Sequence, residues 1–366
     1  MTHGRYPNFS MLLISLGGAV VTASVLSLCL GDQPLPVRQV VRVLFTGSAD
    51  KGAVTQPVAS GGVTDEQART IVRQLRVPRT LLALLVGAGL AVSGMVMQGF
   101  FQNPMANPYL LGVSSGASLG ATVGLVLLPT VGAAFGAPVA VLAFAGALLV
   151  TFVVYALSRV GGRTPVTTLL LTGIAVGSLA QALSAYIYIR RPGGMQDVIL
   201  WIMGSFQKAD GPRVLTMAGT MVVCLGVVAA YCRDLNVLLM GDEPAHHLGV
   251  EVARVRQVLL VVASLLAAAS VAVVGVIGFI GLVVPHLMRL LTGPRHERLL
   301  PACVLGGGLL TLLADLIARG GWTTRLFGGT LGGVLPTTEI PIGIVTAFIG
   351  CPFFLYLLRR SKREPQ

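Results

Sequence analysis

The chain holds few residues that could carry out chemistry, and their spacing does not suit catalysis. Its three lysines, Lys51, Lys208 and Lys362, do not follow a Gly-x-x-x-x-Gly sequence, so the phosphate-binding P-loop is missing. His246 and His247 are adjacent, and adjacent side chains on a helix do not share a face, which argues against a metal site. We therefore predict no catalytic residue, no metal ligand and no cofactor in this chain.

One carboxylate, Asp315, lies inside an apolar segment, and Glu339 lies at the start of the last such segment. Arg319 follows Asp315 by four residues, which places both on one helix face where they can pair. Proton-coupled transport usually needs an unpaired carboxylate near mid-membrane, whereas a paired one near a helix end is typical of a structural role. A proton-driven secondary transporter that uses Asp315 stays open as the alternative function.

The elements that must position these residues are membrane-spanning helices. Hydrophobic residues make up 54% of the 366 positions and charged residues 11%, against roughly 25% charged in soluble domains. Residues 80–158 contain 79 consecutive uncharged positions, room for three or four spans of about 20 residues. The sequence predicts an all-α polytopic membrane protein with one transmembrane domain over residues 1–366.

Apolar segments bounded by charged, proline or glycine clusters predict about ten spans. The eighth is short and is not certain to cross the membrane, and residues 198–206 are predicted as a surface or re-entrant helix. The net charge of +12 is assigned to loops beside the spans rather than to nucleic-acid binding. The ten predicted spans are residues 10–30, 80–99, 109–128, 138–157, 167–189, 214–231, 255–276, 278–291, 300–316 and 340–358.

Charges in the loops predict the orientation. An even number of spans puts both termini on one side of the membrane. With the termini inside, the short loops carry 13 Lys and Arg inside against 6 outside, and Lys and Arg favour the cytoplasmic side. This orientation leaves a long outer loop at 31–79, a cytoplasmic region at 234–256 and a basic cytoplasmic tail at 359–366.

Four sequence segments resemble, in order, the permease subunits of iron-siderophore, haem and cobalamin importers. These are the type II ATP-binding-cassette (ABC) importers, and the resemblance covers residue 76 to the C-terminus. The segments are Arg-Val-Pro-Arg at 76–79 with Asn-Pro-Met-Ala-Asn-Pro at 103–108; Leu-Leu-Met-Gly-Asp-Glu-Pro-Ala-His-His-Leu-Gly at 238–249; Gly-Phe-Ile-Gly-Leu-Val-Val-Pro-His-Leu-Met-Arg at 278–289; and Ala-Asp-Leu-Ile-Ala-Arg at 314–319 with Glu-Ile-Pro-Ile-Gly at 339–343.

The resemblance implies a transport subunit of the bacterial inner membrane that is not itself an enzyme. Two copies of the chain would enclose a pathway, and an ABC ATPase dimer would supply the ATP and Mg chemistry. A periplasmic binding protein would deliver the substrate to the periplasmic side, where the 31–79 loop lies. The favoured substrate is an iron–siderophore, and cobalamin or haem comes next.

The resemblance also assigns region 234–256 as the segment that couples to the ATPase. The residues that match the family pattern there are Gly241, Glu243, Ala245, Leu248 and Gly249. Small residues in such a segment would let the partner approach closely. The alternative is an ordinary solvated loop.

Two further sets of residues take their roles from the resemblance. Arg76, Arg79 and Arg319 match outer-face arginines that would dock acidic residues of the binding protein through directional ion pairs. The alternatives are membrane anchoring and, for Arg319, the pair with Asp315. Val166 and Thr167 are predicted to form the cytoplasmic gate.

The sequence departs from the family pattern at two places near these residues. Pro165 precedes the predicted gate where the pattern leads us to expect another residue. Residues 320–338 are longer and richer in glycine than the usual loop, which puts docking near Arg319 in doubt.

Overall fold

The computed structural model describes residues 8–31, 33–45, 64–127, 137–159, 165–190, 195–319 and 339–361. Most of these residues are helical, and no strand occurs among them, so the predicted all-α class is confirmed. In chain order the helices are α1 (Phe9–Cys29), α2 (Val37–Phe45), α3 (Asp65–Phe100), α4 (Val113–Leu127), α5 (Ala137–Ser158), α6 (Val166–Arg190), α7 (Met195–Ile202), α8 (Gly211–Ala230), α9 (Cys232–Leu238), α10 (Asp242–His247), α11 (Val252–Val274), α12 (Ile280–Thr292), α13 (His296–Ala318) and α14 (Ile342–Ser361).

Ten of the described helices are apolar enough to lie in a membrane. Seven of them are also long enough to cross it, namely α1, α3, α5, α6, α8, α11 and α13, while α4, α12 and α14 are shorter. Each overlaps one predicted span in order, so the prediction of a polytopic protein with about ten membrane helices is confirmed. Helices α3 and α11 are mostly buried and form the centre, whereas α1, α6 and α8 bury less than a quarter of their residues.

Glycine pairs bring the central helices into close contact. A Cβ atom on Gly87 of α3 would lie 2.3 Å from the carbonyl oxygen of Gly307 on α13. On α4, a Cβ at Gly116 would lie 2.4 Å from the carbonyl oxygen of Gly146 on α5. A Cβ at Gly120 would lie 2.0 Å from the carbonyl oxygen of Leu142, also on α5. Small residues spaced four apart, such as Gly116 and Gly120, allow this close packing, and it leaves no room for larger side chains there.

Helices α4 and α12 begin in the interior of the bundle rather than at its ends. A Cβ on Gly94, in the second half of α3, would lie 1.7 Å from the oxygen of Gly281 in the first turn of α12. Pro108, in the 3₁₀ turn before α4, packs against the same Gly281. The Gln98 side chain donates to the Leu282 carbonyl at 3.1 Å. The short eighth span therefore starts partway through the membrane region.

The predicted outer loop at 31–79 contains helices that the prediction omitted. Thr64 and Gln67 cap the start of α3 reciprocally, with bonds of 3.0 and 3.3 Å between the side chain of each and the backbone of the other. Ala68 and Val72 then belong to a small apolar cluster with buried residues of α2. The prediction of a loop here was wrong for α2 and the first turns of α3. These short segments bury their apolar residues against each other, and neither is apolar enough alone to be recognised. The glycine-rich middle, residues 46–63, lies outside the described residues.

The predicted short helix at 198–206 exists with shifted bounds. Helix α7 starts earlier and ends at Ile202. Gly204 follows with φ of +73°, and a Cβ there would lie 2.9 Å from the Val276 oxygen. The Ser205 amide donates to the Val274 carbonyl at 2.8 Å. The chain therefore turns against the end of α11 before α8 begins.

Candidate functional site

Two glycines shape the surface that the sequence assigns to ATPase coupling. We call residues 232–251, which comprise helices α9 and α10 and most of the predicted region 234–256, the coupling surface. Gly241 starts α10 with φ of +106°, and Gly249 follows it with φ of +83°. Such φ values are strained for any residue with a Cβ. A Cβ on Gly249 would meet no atom within 4 Å, so backbone conformation alone requires glycine there.

Contacts to α3 and α11 hold the coupling surface in place. The Gln102 side chain, just after α3, donates to the Leu238 carbonyl at 2.6 Å. Arg256 of α11 forms a 2.6 Å ion pair with Asp242, and its guanidinium lies 5.5 Å from the Phe100 ring centre. Ala245 is fully buried within the chain. Ala245 therefore packs α10 against the rest of the chain, and its predicted part in coupling stays a prediction.

The exposed side chains of the coupling surface include large apolar residues beside a carboxylate. Leu248 is 62% exposed, Met240 is 66% exposed, and Glu243 is exposed next to them. Large apolar side chains exposed at a polar end are typical of protein contacts. Leu248 and Glu243 were predicted from the sequence, whereas Met240 was not. Its position beside the Gly241 turn was the available signal.

A second tie joins the coupling surface to the start of α13. The Asn236 side chain donates to Glu297 at 2.8 Å and accepts from the His296 amide at 2.9 Å. Burial raises the pKa of Cys232 at the start of α9 to about 11, so this thiol stays protonated and serves in packing. The surface is thus fastened to α3, α11 and α13. Movement of the surface would be transmitted to these central helices.

The opposite end of the bundle carries four charged side chains that pair with one another. We call Arg79, Asp315, Arg319 and Glu339 the arginine cluster. Arg79 donates to Asp315 at 2.8 Å and to Glu339 at 2.9 Å, and Arg319 donates to Asp315 at 2.6 Å. Asp315 is 1% exposed. The predicted pair of Asp315 with Arg319 is confirmed, and Arg79 adds a second cation.

The arginines also complete the C-terminal end of α1. The last carbonyls of a helix lack intrahelical donors. Arg319 donates to the Ser27 carbonyl at 2.8 Å, and Arg76 donates to those of Leu28 at 2.7 Å and Cys29 at 3.0 Å. Basic side chains near a helix C-terminus suit its partial negative charge. The cluster therefore links α1, α3, α13 and the start of α14.

The three arginines predicted to dock a binding protein thus point into the chain. Arg76 is 7% exposed and Arg319 is 5% exposed, and both donate to helix α1. The Arg79 side chain is 13% exposed. Sequence matching located the arginines correctly at one end of the bundle. It could not show that their donors are occupied by carboxylates and carbonyls of the same chain.

The predicted gate residues lie at the start of α6. Val166 is the first residue of this helix and packs against the central core, while Thr167 is exposed. This end of α6 lies toward the coupling surface, because Gly173, about two turns after Val166, packs against Leu110 in the segment that follows α3. Residues 160–164 of the preceding loop lie outside the described residues.

The chain is similar in sequence to known proteins over most of its length. The sequence pattern of the FecCD transport family matches residues 19–360. The chain belongs to the FecCD transport family. The cobalamin import system permease protein BtuC of Halobacterium salinarum is 40% identical, over 94% of each chain. The hemin transport system permease protein HmuU of Yersinia pestis is 40% identical, over 88% of this chain and 93% of that protein.

A solved structure supports the same conclusion about the fold of this FecCD chain. It is described as an inward-facing conformation of a metal-chelate type ABC transporter. The match has a TM-score of 0.75 and 32% sequence identity, and it covers 96% of this chain and 99% of that one. This FecCD chain is therefore a polytopic permease, and the coupling surface and the arginine cluster lie at its two ends.

Proposed function

We propose that this FecCD chain is the membrane-spanning subunit of an ATP-driven importer that carries a metal chelate into the cytoplasm. The observation that carries the proposal is the family match over residues 19–360. The relatives named for cobalamin and hemin support a metal chelate as the substrate. An iron–siderophore stays our predicted substrate within that class.

The coupling surface supports an ATPase as the energy source. Leu248, Met240 and Glu243 form an exposed apolar and acidic surface that two positive-φ glycines shape. The contacts of Asp242 with α11 and of Asn236 with α13 would transmit movement of this surface to those helices. A chain with no P-loop in its sequence needs such a contact with a partner that binds ATP and Mg.

The assembly we propose has two copies of this chain, two ATPase subunits and one periplasmic binding protein in the inner membrane. Both termini lie in the cytoplasm, so the arginine cluster faces the periplasm. Val166 and Thr167 form the cytoplasmic gate. Arg79 and Glu339 are the partly exposed members of the cluster, and they are the groups through which a binding protein could dock. Arg76 and Arg319 are buried, and their hydrogen bonds hold the end of α1 beside these two groups.

Reconstituted uptake tests the proposal. The chain is placed in liposomes with its ATPase and binding protein, and uptake of cobalamin and of radioactive iron chelates is measured. Uptake that requires both ATP and the ATPase supports the importer. Uptake that a proton gradient drives without the ATPase, and that Asp315→Asn abolishes while the protein stays folded, would instead establish the secondary transporter.

A further inference from the structure

A cavity of about 420 Å³ lies between α4 and α6 and reaches the end of α7. This size falls within the range of small-molecule sites, roughly 300–1,000 Å³. It begins beside the first turn of α4, which starts in the interior of the bundle, and extends along α6 toward the arginine-cluster end. Six polar residues line it: Ser114, Ser115, Ser118, Gln181, Ser184 and Tyr188.

The polar groups of this cavity, which we call the serine cavity, are only partly satisfied by the protein. The Gln181 amide donates to the Ser115 hydroxyl at 3.2 Å, and the Tyr188 hydroxyl lies 3.1 Å from that of Thr122. Ser118 is 8% exposed, and among the described residues its hydroxyl forms no hydrogen bond. Ser118 lines the cavity, so its hydroxyl is open to a hydrogen bond from water or a ligand in that space.

The location of these groups indicates a solvated or ligand-filled space rather than a lipid-facing groove. Polar side chains in membrane helices usually face the bundle interior or a water-filled cavity. The Ser115 and Ser118 side chains are buried between helices, while Gln181 is exposed at the mouth of the cavity. The cavity therefore opens at Gln181 and has its polar groups on the inner wall.

The lining also restricts the chemistry of a ligand. No charged side chain lines the serine cavity within the described part of the chain. A ligand carboxylate placed there would lose its hydration without gaining a cation. Hydroxyl and carboxamide groups both donate and accept hydrogen bonds, so they match uncharged amide or hydroxamate groups.

We propose that the serine cavity is a substrate-binding subsite for metal chelates that present uncharged amide or hydroxamate groups. This assignment rests on the proposed import function and deepens it by naming the substrate class. Ser118 and Gln181 supply the hydrogen bonds to the ligand. Chelates that present carboxylates are disfavoured at this subsite.

Direct binding tests the assignment without the selectivity of a binding protein. The complex of the chain with its ATPase is placed in lipid nanodiscs, and equilibrium binding of four chelates is measured. Two have uncharged amide or hydroxamate groups, cyanocobalamin and ferrichrome, and two have carboxylates, ferric dicitrate and haemin. We expect at least one uncharged chelate to bind about ten-fold or more tightly than both carboxylate chelates, the ratio that a charged group left without its partner costs.

Two variants and one control sharpen the result. Ser118→Ala weakens binding of the uncharged chelate about five-fold, the loss expected for one neutral hydrogen bond. Gln181→Lys, at an exposed position, raises the affinity for ferric dicitrate about ten-fold by supplying a cation. The matched control is Ser158→Ala, a buried serine of α5 whose hydroxyl donates to the Tyr155 carbonyl on its own helix, and it leaves binding unchanged.

The outcomes separate this proposal from the import function. Equal or tighter binding of the carboxylate chelates, or equal effects of Ser118→Ala and Ser158→Ala, overturns the subsite while ATP-driven uptake by the complete importer still stands. Absence of ATP-driven uptake of every chelate by the complete wild-type importer overturns the import function, and the subsite with it.

Discussion

Removing the charge of Asp315 is the sharpest test of the arginine cluster. Asp315→Asn keeps the side-chain shape and one oxygen acceptor, but it leaves the buried Arg319 without its anionic partner, with Ser27 still accepting from it, and leaves Arg79 with Glu339. Breaking a buried ion pair by neutralising one partner costs about 3–5 kcal/mol. At about 2 °C per kcal/mol, the low end for large domains, the melting temperature falls by roughly 6–10 °C.

Exposure within the cluster predicts a graded series. Glu339 is 23% exposed and contacts one arginine, so Glu339→Gln costs about 1 kcal/mol or less. Glu251→Gln is the control, because its 3.8 Å pair with Arg254 is largely exposed; it costs less than about 0.5 kcal/mol. The double variant Asp315→Asn with Arg319→Gln removes one charge of each sign and loses less than the sum of the two single changes.

Thermal unfolding of the detergent-solubilised protein, followed by intrinsic fluorescence, measures the series. The reasoning is refuted if Asp315→Asn melts within about 2 °C of the wild type, or if it melts no lower than Glu339→Gln. An unchanged melting temperature together with lost uptake would assign Asp315 to proton transfer instead of structure.

Three further changes test the packing and the coupling surface. Gly249→Ala costs about 1–2 kcal/mol through its positive φ and lowers the chelate imported per ATP hydrolysed, measured by parallel uptake and phosphate-release assays. Gly94→Ala forces a Cβ into a backbone oxygen and costs about 3 kcal/mol or more, which appears as lost folded protein in size-exclusion chromatography. Leu248→Ala removes about 1.5–3 kcal/mol of apolar burial and weakens ATPase binding about ten-fold or more, measured by titration in nanodiscs.

Matched controls belong to these three changes. Gly226 lies on α8 with open space around it, so Gly226→Ala leaves folding and coupling unchanged. Leu215, also on α8, is 75% exposed, and Leu215→Ala leaves ATPase affinity unchanged. Folded yield of Gly94→Ala equal to that of Gly226→Ala contradicts the packing argument. Full affinity of Leu248→Ala, or full coupling of Gly249→Ala, removes the coupling surface from the ATPase contact.

The membrane fold was predictable because hydrophobicity acts locally along the chain. The uncharged run at 80–158 required several spans whatever the packing, and α3, α4 and α5 lie there. The helical extension of α3 back to Asp65 was not predictable in this way. Its buried apolar residues, Ala68 and Val72, are few and contact the equally short apolar face of α2, so neither segment has a strong signal alone.

The candidate site divides along the same line. Gly241 and Gly249 carry a local signal, because a positive φ is a property of one residue and its immediate neighbours. Arg79 pairs with Asp315, which is 236 positions away in the sequence, and with Glu339, which is 260 positions away. No spacing rule reaches that far, so the sequence predicted the pair of Arg319 with Asp315 four residues away but did not predict the pairs of Arg79 within the chain.

The sequence by itself determined that the chain spans a membrane and that it contains no P-loop sequence. It also determined the segment whose turns depend on Gly241 and Gly249. Composition and local motifs decide these features before any helix packs against another. Only the tertiary structure decided which groups are consumed inside the chain and which remain available. It buried Ala245 and Arg319, exposed Leu248, and left the Ser118 hydroxyl beside a cavity with no hydrogen bond to the residues that the structure describes. Burial and pairing depend on neighbours that the fold brings from distant parts of the chain.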